Sequence, residues 1–318
     1  MTERRPTANG VRAAAERIAG AVTRTPLLPL EWGGRRLWVK VECLQQGGAF
    51  KLRGASNRLL QLDAAERARG VVAFSSGNHA QGVALAARRL DIAAAIVMPA
   101  DAPAVKVAAT RVAGAEIIFY DRASESREEI AARLGAERGA TVVPSFDDVD
   151  VIEGQGTVGL EIAEQLSRAP PLVLIPCGGG GLAAGIALAL PDSGIIVAEP
   201  EGWDDMARSL AGGGIVPVAE PAPPTRCDAL QTKRVSPLTF DVLRAAGARG
   251  VAVSEAEVAT AMRFAFANLR LVVEPGGAVA LAALLAGKAG EVPEDSVILL
   301  SGGNVDSAVF AAILEGAA

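Results

Sequence analysis

The sequence predicts an α/β fold with two lobes and parallel-rich sheets, on three observations. Short apolar runs alternate with helical patterns over 37–138 and again over 172–303, a βαβα rhythm that implies parallel strands joined by right-handed crossovers. Half of the 318 residues are hydrophobic but only 4% are aromatic, so the core is built from Ala, Val, Leu and Ile, as in sheets covered on both faces. An apolar strand also runs directly into four glycines and an Ala/Leu-rich helix, LVLIPCGGGGLAAGIALA at 172–189.

Taken in order, LWVKVE (37–42) reads as a strand followed by a glycine-containing turn. VVAFSS (71–76), AAAIVMP (93–99) and EIIFY (116–120) are short β-rich runs, with helical stretches near 79–90, 103–113 and 127–138 between and after them. Ser126 to Glu129 has the capping-box spacing before EEIAARL. The rhythm resumes with LVLIP, a helix, GIIVAEP (194–200), a helix over 255–270 and VILLSGG (297–303). Ser254 to Glu257 is a second capping box, opening the 255–270 helix. The Gly/Pro-rich segment 211–236 reads as an extended loop.

Composition narrows the function classes. A net charge of −5 argues against a general nucleic-acid binder. The amino-terminal stretch carries both charge signs and lacks the apolar core of a signal peptide. The longest uncharged stretch, about 169–191, holds three prolines and the four glycines, so a buried strand–turn–helix is expected there rather than a membrane span. Cys43, Cys177 and Cys227 are odd in number and far apart, which suggests reduced thiols and a cytoplasmic setting. His79 is the sole histidine, a poor basis for a His-ligated metal or a Ser-His-Asp triad.

The four glycines Gly178, Gly179, Gly180 and Gly181 lack side chains, so their N–H groups have room to crowd around one anion, with a helix N-terminus behind them. The spacing is neither G-x-G-x-x-G nor G-x-x-x-x-G-K-[ST]. A second signal is FKLRGA (50–55) in the turn after a strand, where Lys51 follows Phe50. A lysine there is either a solvated surface charge or a desolvated amine able to condense with an aldehyde. A phosphate cradle together with such a lysine suggests pyridoxal 5'-phosphate, which has both handles.

These blocks resemble the fold-type II (tryptophan synthase β-like) pyridoxal-phosphate family of threonine/serine dehydratases and serine racemases. The resemblance runs nearly end to end, through KVECLQQGGAFKLRGA (40–55), SSGNHAQG (75–82), DDVDVIEGQGTVGLEI (147–162), PCGGGGL (176–182), AEPEGWDD (198–205), EPGGAVALAALL (274–285) and LSGGNVD (300–306). It implies that Lys51 is the Schiff-base lysine, flanked at the ring by Phe50. Asn78 is then the asparagine at the pyridoxal 3-oxygen, Gly178 to Gly181 the phosphate cradle and Ser301 the partner of the pyridine nitrogen. Ser75, Ser76, Asn78 and His79 share one turn before a helix, suited to a substrate α-carboxylate. Ser76 reads either as a helix cap or as the second base that racemases of this family place there. Arg127 is either a solvated arginine or a bidentate partner for an acidic substrate group, as in the racemase-like members. Glu199 and Asp205, with the Trp203 carbonyl, are either surface groups or ligands of Mg²⁺ or Ca²⁺. Glu274 faces the cofactor by the same resemblance.

The implied activity is β-elimination of hydroxy amino acids such as L-threonine or L-serine to a 2-oxo acid and ammonia. The alternatives are a serine racemase and a 3-hydroxyaspartate dehydratase. The implied organisation is a large cofactor-binding domain of 1–62 and 149–318 with a small mobile domain of 63–148. A homodimer acting on a small amino acid is expected, with no nucleic-acid or membrane partner. The sequence departs from the family at Gly47, at Ala49 and in CDALQTKRVSPLTF (227–240), each bearing on substrate choice.

Overall fold

The computed structural model describes residues 4–75, 77–102 and 104–316. Among the described residues ten strands form two sheets: β1 (Leu27–Trp32), β2 (Arg35–Val41), β3 (Val71–Phe74), β4 (Ala94–Pro99), β5 (Glu116–Tyr120), β6 (Thr141–Val142), β7 (Leu172–Pro176), β8 (Gly194–Pro200), β9 (Arg249–Val253) and β10 (Val297–Leu300). The larger sheet has the order β1-β2-β10-β7-β8-β9 and the smaller β5-β4-β3-β6. All pairings are parallel except β1 with β2, a hairpin closed by Gly33 and Gly34. Both glycines have positive φ, 59° and 73°, the backbone sign that a two-residue hairpin turn needs.

The helices are α1 (Ala8–Arg17), α2 (Lys51–Leu60), α3 (Ala64–Arg69), α4 (Asn78–Arg89), α5 (Ala104–Val112), α6 (Arg127–Arg138), α7 (Val149–Leu166), α8 (Gly181–Ala189), α9 (Asp205–Gly212), α10 (Pro237–Ala245), α11 (Glu255–Phe264), α12 (Pro275–Leu285) and α13 (Ser307–Leu314). Parallel strands need such crossovers because no short turn reverses the chain direction twice. The central strands β4, β7 and β10 are buried at every residue, which explains their continuous apolar sequence. At the crossing of α7 and α8, a Cβ on Gly156 would lie 2.6 Å from the Gly185 carbonyl oxygen. The two helix backbones therefore approach closely at Gly156 and Gly185, in the middle of α8.

Several expectations shift. Lys51 is the first residue of α2, not part of a turn. The helix expected over 255–270 ends at Phe264 and continues as a π-turn over Ala265–Leu269. Ser254 and Glu257 make both bonds of a capping box, whereas at α6 only the Ser126 hydroxyl bonds, to the Glu129 N–H. The loop expected over 211–236 overlaps the end of α9 and contains a 3₁₀ turn at Asp228–Leu230. Among the described residues no helix is long and apolar enough to cross a membrane.

Candidate active site

One cleft collects the carboxyl ends of strands from both sheets, the usual place for a ligand in parallel α/β structures. Phe74 and Ser75 enter it from the end of β3, Pro176 and the glycines from the end of β7, and Ser301 from the end of β10. Asn78 and His79 enter from the start of α4, Lys51 from the start of α2, and Arg127 from the start of α6. The tertiary structure thus brings into one cleft residues that are up to 251 positions apart (50 to 301). Ser76 lies outside the described residues.

Lys51 Nζ donates to the Ser145 carbonyl at 2.9 Å and sits 5.1 Å from the Phe50 ring centroid. Loss of water around the amine lowers its pKa to about 8, so a neutral amine is accessible near neutral pH. Gly178 to Gly181 form the facing wall. A Cβ on Gly179 would run into the Phe146 ring, and one on Gly180, whose φ is 85°, would lie 2.6 Å from Met206 Cε and 3.0 Å from Thr239 Cβ. Side chains are excluded from this cradle by space as well as by backbone conformation.

Asn78 donates to Glu274 Oε1 at 2.5 Å and accepts from Asn304 Nδ2 at 2.8 Å. Glu274 Oε2 is buried with no partner among the described residues, and burial raises its pKa to about 7. His79 donates from Nε2 to the Val143 carbonyl at 2.8 Å, leaving buried Nδ1 without a partner among the described residues. Burial first, and then the nearby Lys51 charge, lower its pKa to about 3. His79 is therefore a neutral hydrogen-bonding group and not a proton carrier at ordinary pH.

Arg127 lines both this cleft and the outer vestibule that joins it. Its Nε donates to Glu128 at 2.9 Å, and its guanidinium carbon lies 5.8 Å from the Phe74 ring centroid. Its two terminal nitrogens carry no hydrogen bond among the described residues. Groups not singled out from sequence also line the walls, among them Ser145, Phe146, and Asp228, which forms an ion pair with Lys106. Ser145 and Phe146 come from the connection between the two sheets, where no periodic pattern marks them. Asp228 lies in the segment whose departure from the family is legible.

Glu199, Trp203 and Asp205 do not line this cleft; Trp203 borders the vestibule instead. Glu199, at the end of β8, accepts from the Met206 and Ala207 N–H groups at 3.1 and 2.7 Å and so caps α9. Asp205 is wholly buried and neither carboxylate oxygen has a partner among the described residues. Burial is the largest cause raising both acids, Asp205 to about 7. Among the described residues no group of three or more His, Cys, Asp or Glu side chains is arranged to hold a metal.

A family model described as pyridoxal-phosphate dependent enzyme matches residues 18–302. The chain is 45% identical to an L-threo-3-hydroxyaspartate ammonia-lyase of Pseudomonas sp, over 95% of this chain and 97% of that protein. Among solved structures, maize serine racemase matches with a TM-score of 0.92 at 37% identity, covering 99% of this chain and 98% of that one. A threonine deaminase from T.th. matches with a TM-score of 0.87 at 42% identity, covering 95% and 99%. The architecture is the fold-type II α/β arrangement. The chain belongs to the pyridoxal-phosphate dependent enzymes.

Proposed function

We propose that this pyridoxal-phosphate dependent enzyme is an ammonia-lyase that takes a β-hydroxy amino acid to its 2-oxo acid and ammonia. The substrate that Arg127 fits is 3-hydroxyaspartate. The observation that carries this choice is the guanidinium fork of Arg127, unpaired among the described residues at its two terminal nitrogens, in the wall of the cleft that holds Lys51. L-Threonine and L-serine have no second carboxylate for that fork. The Pseudomonas relative, by its name, acts on L-threo-3-hydroxyaspartate.

The residues fit the cofactor. The side-chain-free cradle of Gly178 to Gly181 suits its phosphate, Lys51 its aldehyde, Phe50 and Asn78 its ring, and Ser301 its ring nitrogen. When bound, pyridoxal phosphate supplies an aldehyde for the substrate amine and a ring that withdraws electron density from Cα. Lys51 Nζ, whose pKa desolvation lowers to about 8, receives the Cα proton in its neutral form. Ser75 and His79, which line the cleft, orient the substrate α-carboxylate, with Ser76 a further proposed partner and His79 neutral throughout. The β-hydroxyl leaves as water, and water returned at Cα releases ammonia, so the net products are the 2-oxo acid and ammonia.

Glu199, Asp205 and the Trp203 carbonyl form the proposed Mg²⁺ or Ca²⁺ site. The two unpartnered oxygens of buried Asp205 support it, because a buried carboxylate without a donor suits a cation. Segment 63–148 is the proposed small domain, closing on the remainder. A homodimer in the cytoplasm belongs to the same reading. Exposed Phe266, Val272 and Val309, with Phe266 stacked edge-on to Phe310, support a protein contact on that side.

The test is a panel of L-threonine, L-serine and both 3-hydroxyaspartate diastereomers, assayed for 2-oxo acid, with chiral analysis of unreacted serine. Arg127→Ala is expected to lose about 10- to 100-fold in kcat/KM on 3-hydroxyaspartate, the worth of a charged hydrogen-bond pair. Threonine turnover is expected to stay unchanged. Equal loss on threonine would retire the substrate choice, and D-serine without oxo acid would favour a racemase.

A further inference from the structure

We propose that Thr239, a residue outside the cleft, is the positioning residue that sets the glycine cradle for an anion. The inference rests on the cofactor reading above. Thr239 is the third residue of α10 and is wholly buried. Its hydroxyl donates to the Gly179 carbonyl at 2.8 Å, across 60 positions of sequence. The next acceptor within its reach, the Ser236 carbonyl, is farther at 3.1 Å.

The carbonyls of Gly178, Gly179 and Gly180 each have a separate donor. The Cys177 thiol reaches Gly178 O at 3.3 Å, and the Ala184 N–H reaches Gly180 O at 2.8 Å. Both donors are local, one at the preceding residue and the other in the first turn of α8. No backbone N–H reaches Gly179 O among the described residues, and Thr239 alone restrains that peptide from another part of the fold. A trans peptide holds its N–H opposite its C=O, so a carbonyl drawn to Thr239 keeps the Gly180 N–H turned away from α10. Thr239 and Met206 also fill the space that a Cβ on Gly180 would need, and the φ of that glycine is 85°.

Such a restraint matters because glycine loses more backbone freedom on ordering than any other residue. Four in a row would otherwise be ordered by the ligand itself, at the expense of affinity. The hydroxyl is not needed to cap α10, since Ser236 already accepts from the Thr239 backbone N–H at 3.2 Å. Its bond to Gly179 therefore acts on the cradle, and through the cradle on a phosphate group.

Full-length protein freed of cofactor is titrated with pyridoxal phosphate and, separately, with pyridoxal, which lacks the phosphate, following tryptophan fluorescence. Thr239→Val, which keeps the shape and removes the hydroxyl, is expected to raise the Kd for pyridoxal phosphate about tenfold, one hydrogen bond's worth. Its Kd for pyridoxal is expected to match wild type, and Thr239→Ser to restore phosphate-dependent affinity. Thr239→Ala, read the same way with a thermal melt for each protein, covers the case in which valine disturbs packing. Equal weakening toward both ligands, or no weakening toward pyridoxal phosphate, would overturn the inference and leave the functional reading intact. Wild-type protein that fails to bind pyridoxal phosphate would overturn both.

Discussion

Two buried ionisable side chains carry the residue-scale argument. Lys51 is lowered to about 8 by desolvation, so the neutral form of its amine grows as pH rises toward that value. Borohydride reduction of the cofactor-loaded protein followed by peptide mapping is expected to find the label at Lys51. Lys51→Ala is expected to lose that label and at least about 10²- to 10⁴-fold in turnover, the range for a positioned acid–base group. Asp205 is shifted the other way, up to about 7 from the ordinary 3.8, by burial without a partner among the described residues. The folded state thus holds this proton more tightly than the unfolded chain. The favourable contribution is full below the unfolded value and is lost as pH rises through about 7. In chelator, the melting temperature of wild type relative to Asp205→Asn is expected to fall between about pH 4 and 7. Added Mg²⁺ or Ca²⁺ is expected to restore it near neutrality in wild type only. A flat difference across that range would remove Asp205 from the proposed metal site.

At the scale of elements, α2 is held by a charge cluster two residues beyond Lys51, with Arg53, Glu42 and Lys40 buried and Glu161 partly so. Arg53 makes paired bonds to Glu42 at 2.8 and 2.8 Å and to Glu161 at 2.6 and 2.9 Å. Lys40 joins Glu161 at 2.6 Å and the Thr25 carbonyl at 2.9 Å. Two cations and two carboxylates balance, tying β2, α2 and α7 together. Removing one member leaves buried charge uncompensated, which costs more than the intact cluster contributes. Arg53→Met is expected to destabilise by about 3–5 kcal/mol in denaturant unfolding. At α11 the capping box gives a smaller effect: Ser254→Ala is expected to cost about 1 kcal/mol, while the same change at Ser126, which has one bond of the two, is expected to cost less.

At the scale of the whole molecule, the proposed closure of 63–148 over the cleft is open to hydrogen exchange. Substrate analogue is expected to slow exchange at Ser75, Gly77, Asn78, His79, Ser145 and Phe146, which line the cleft, while β7 and β10 stay protected throughout. Uniform slowing across the chain would argue against a moving part. Much of this architecture is legible in sequence, because strands buried on both faces are continuous apolar runs and the helices between them keep their period. The exceptions have physical causes. The edge strand β9, Arg249–Val253, is only partly buried and does not stand out. The two-residue β6 is below the length at which any pattern exists. Lys51 opens α2 behind a glycine-rich stretch, where local signals favour a turn and only packing against α4 and α7 decides for a helix.

Sequence alone determined the parallel α/β class and singled out the four glycines and Lys51, because each depends on which side chains are present or missing at adjacent positions. Only the tertiary structure decided that Lys51, Arg127, the cradle and Ser301 share one cleft, that Ser145 and Phe146 wall it, and that Thr239 reaches Gly179 from behind. Those relations join residues tens to hundreds of positions apart. They follow from how sheets and helices pack, and distance along a chain carries no record of proximity in space.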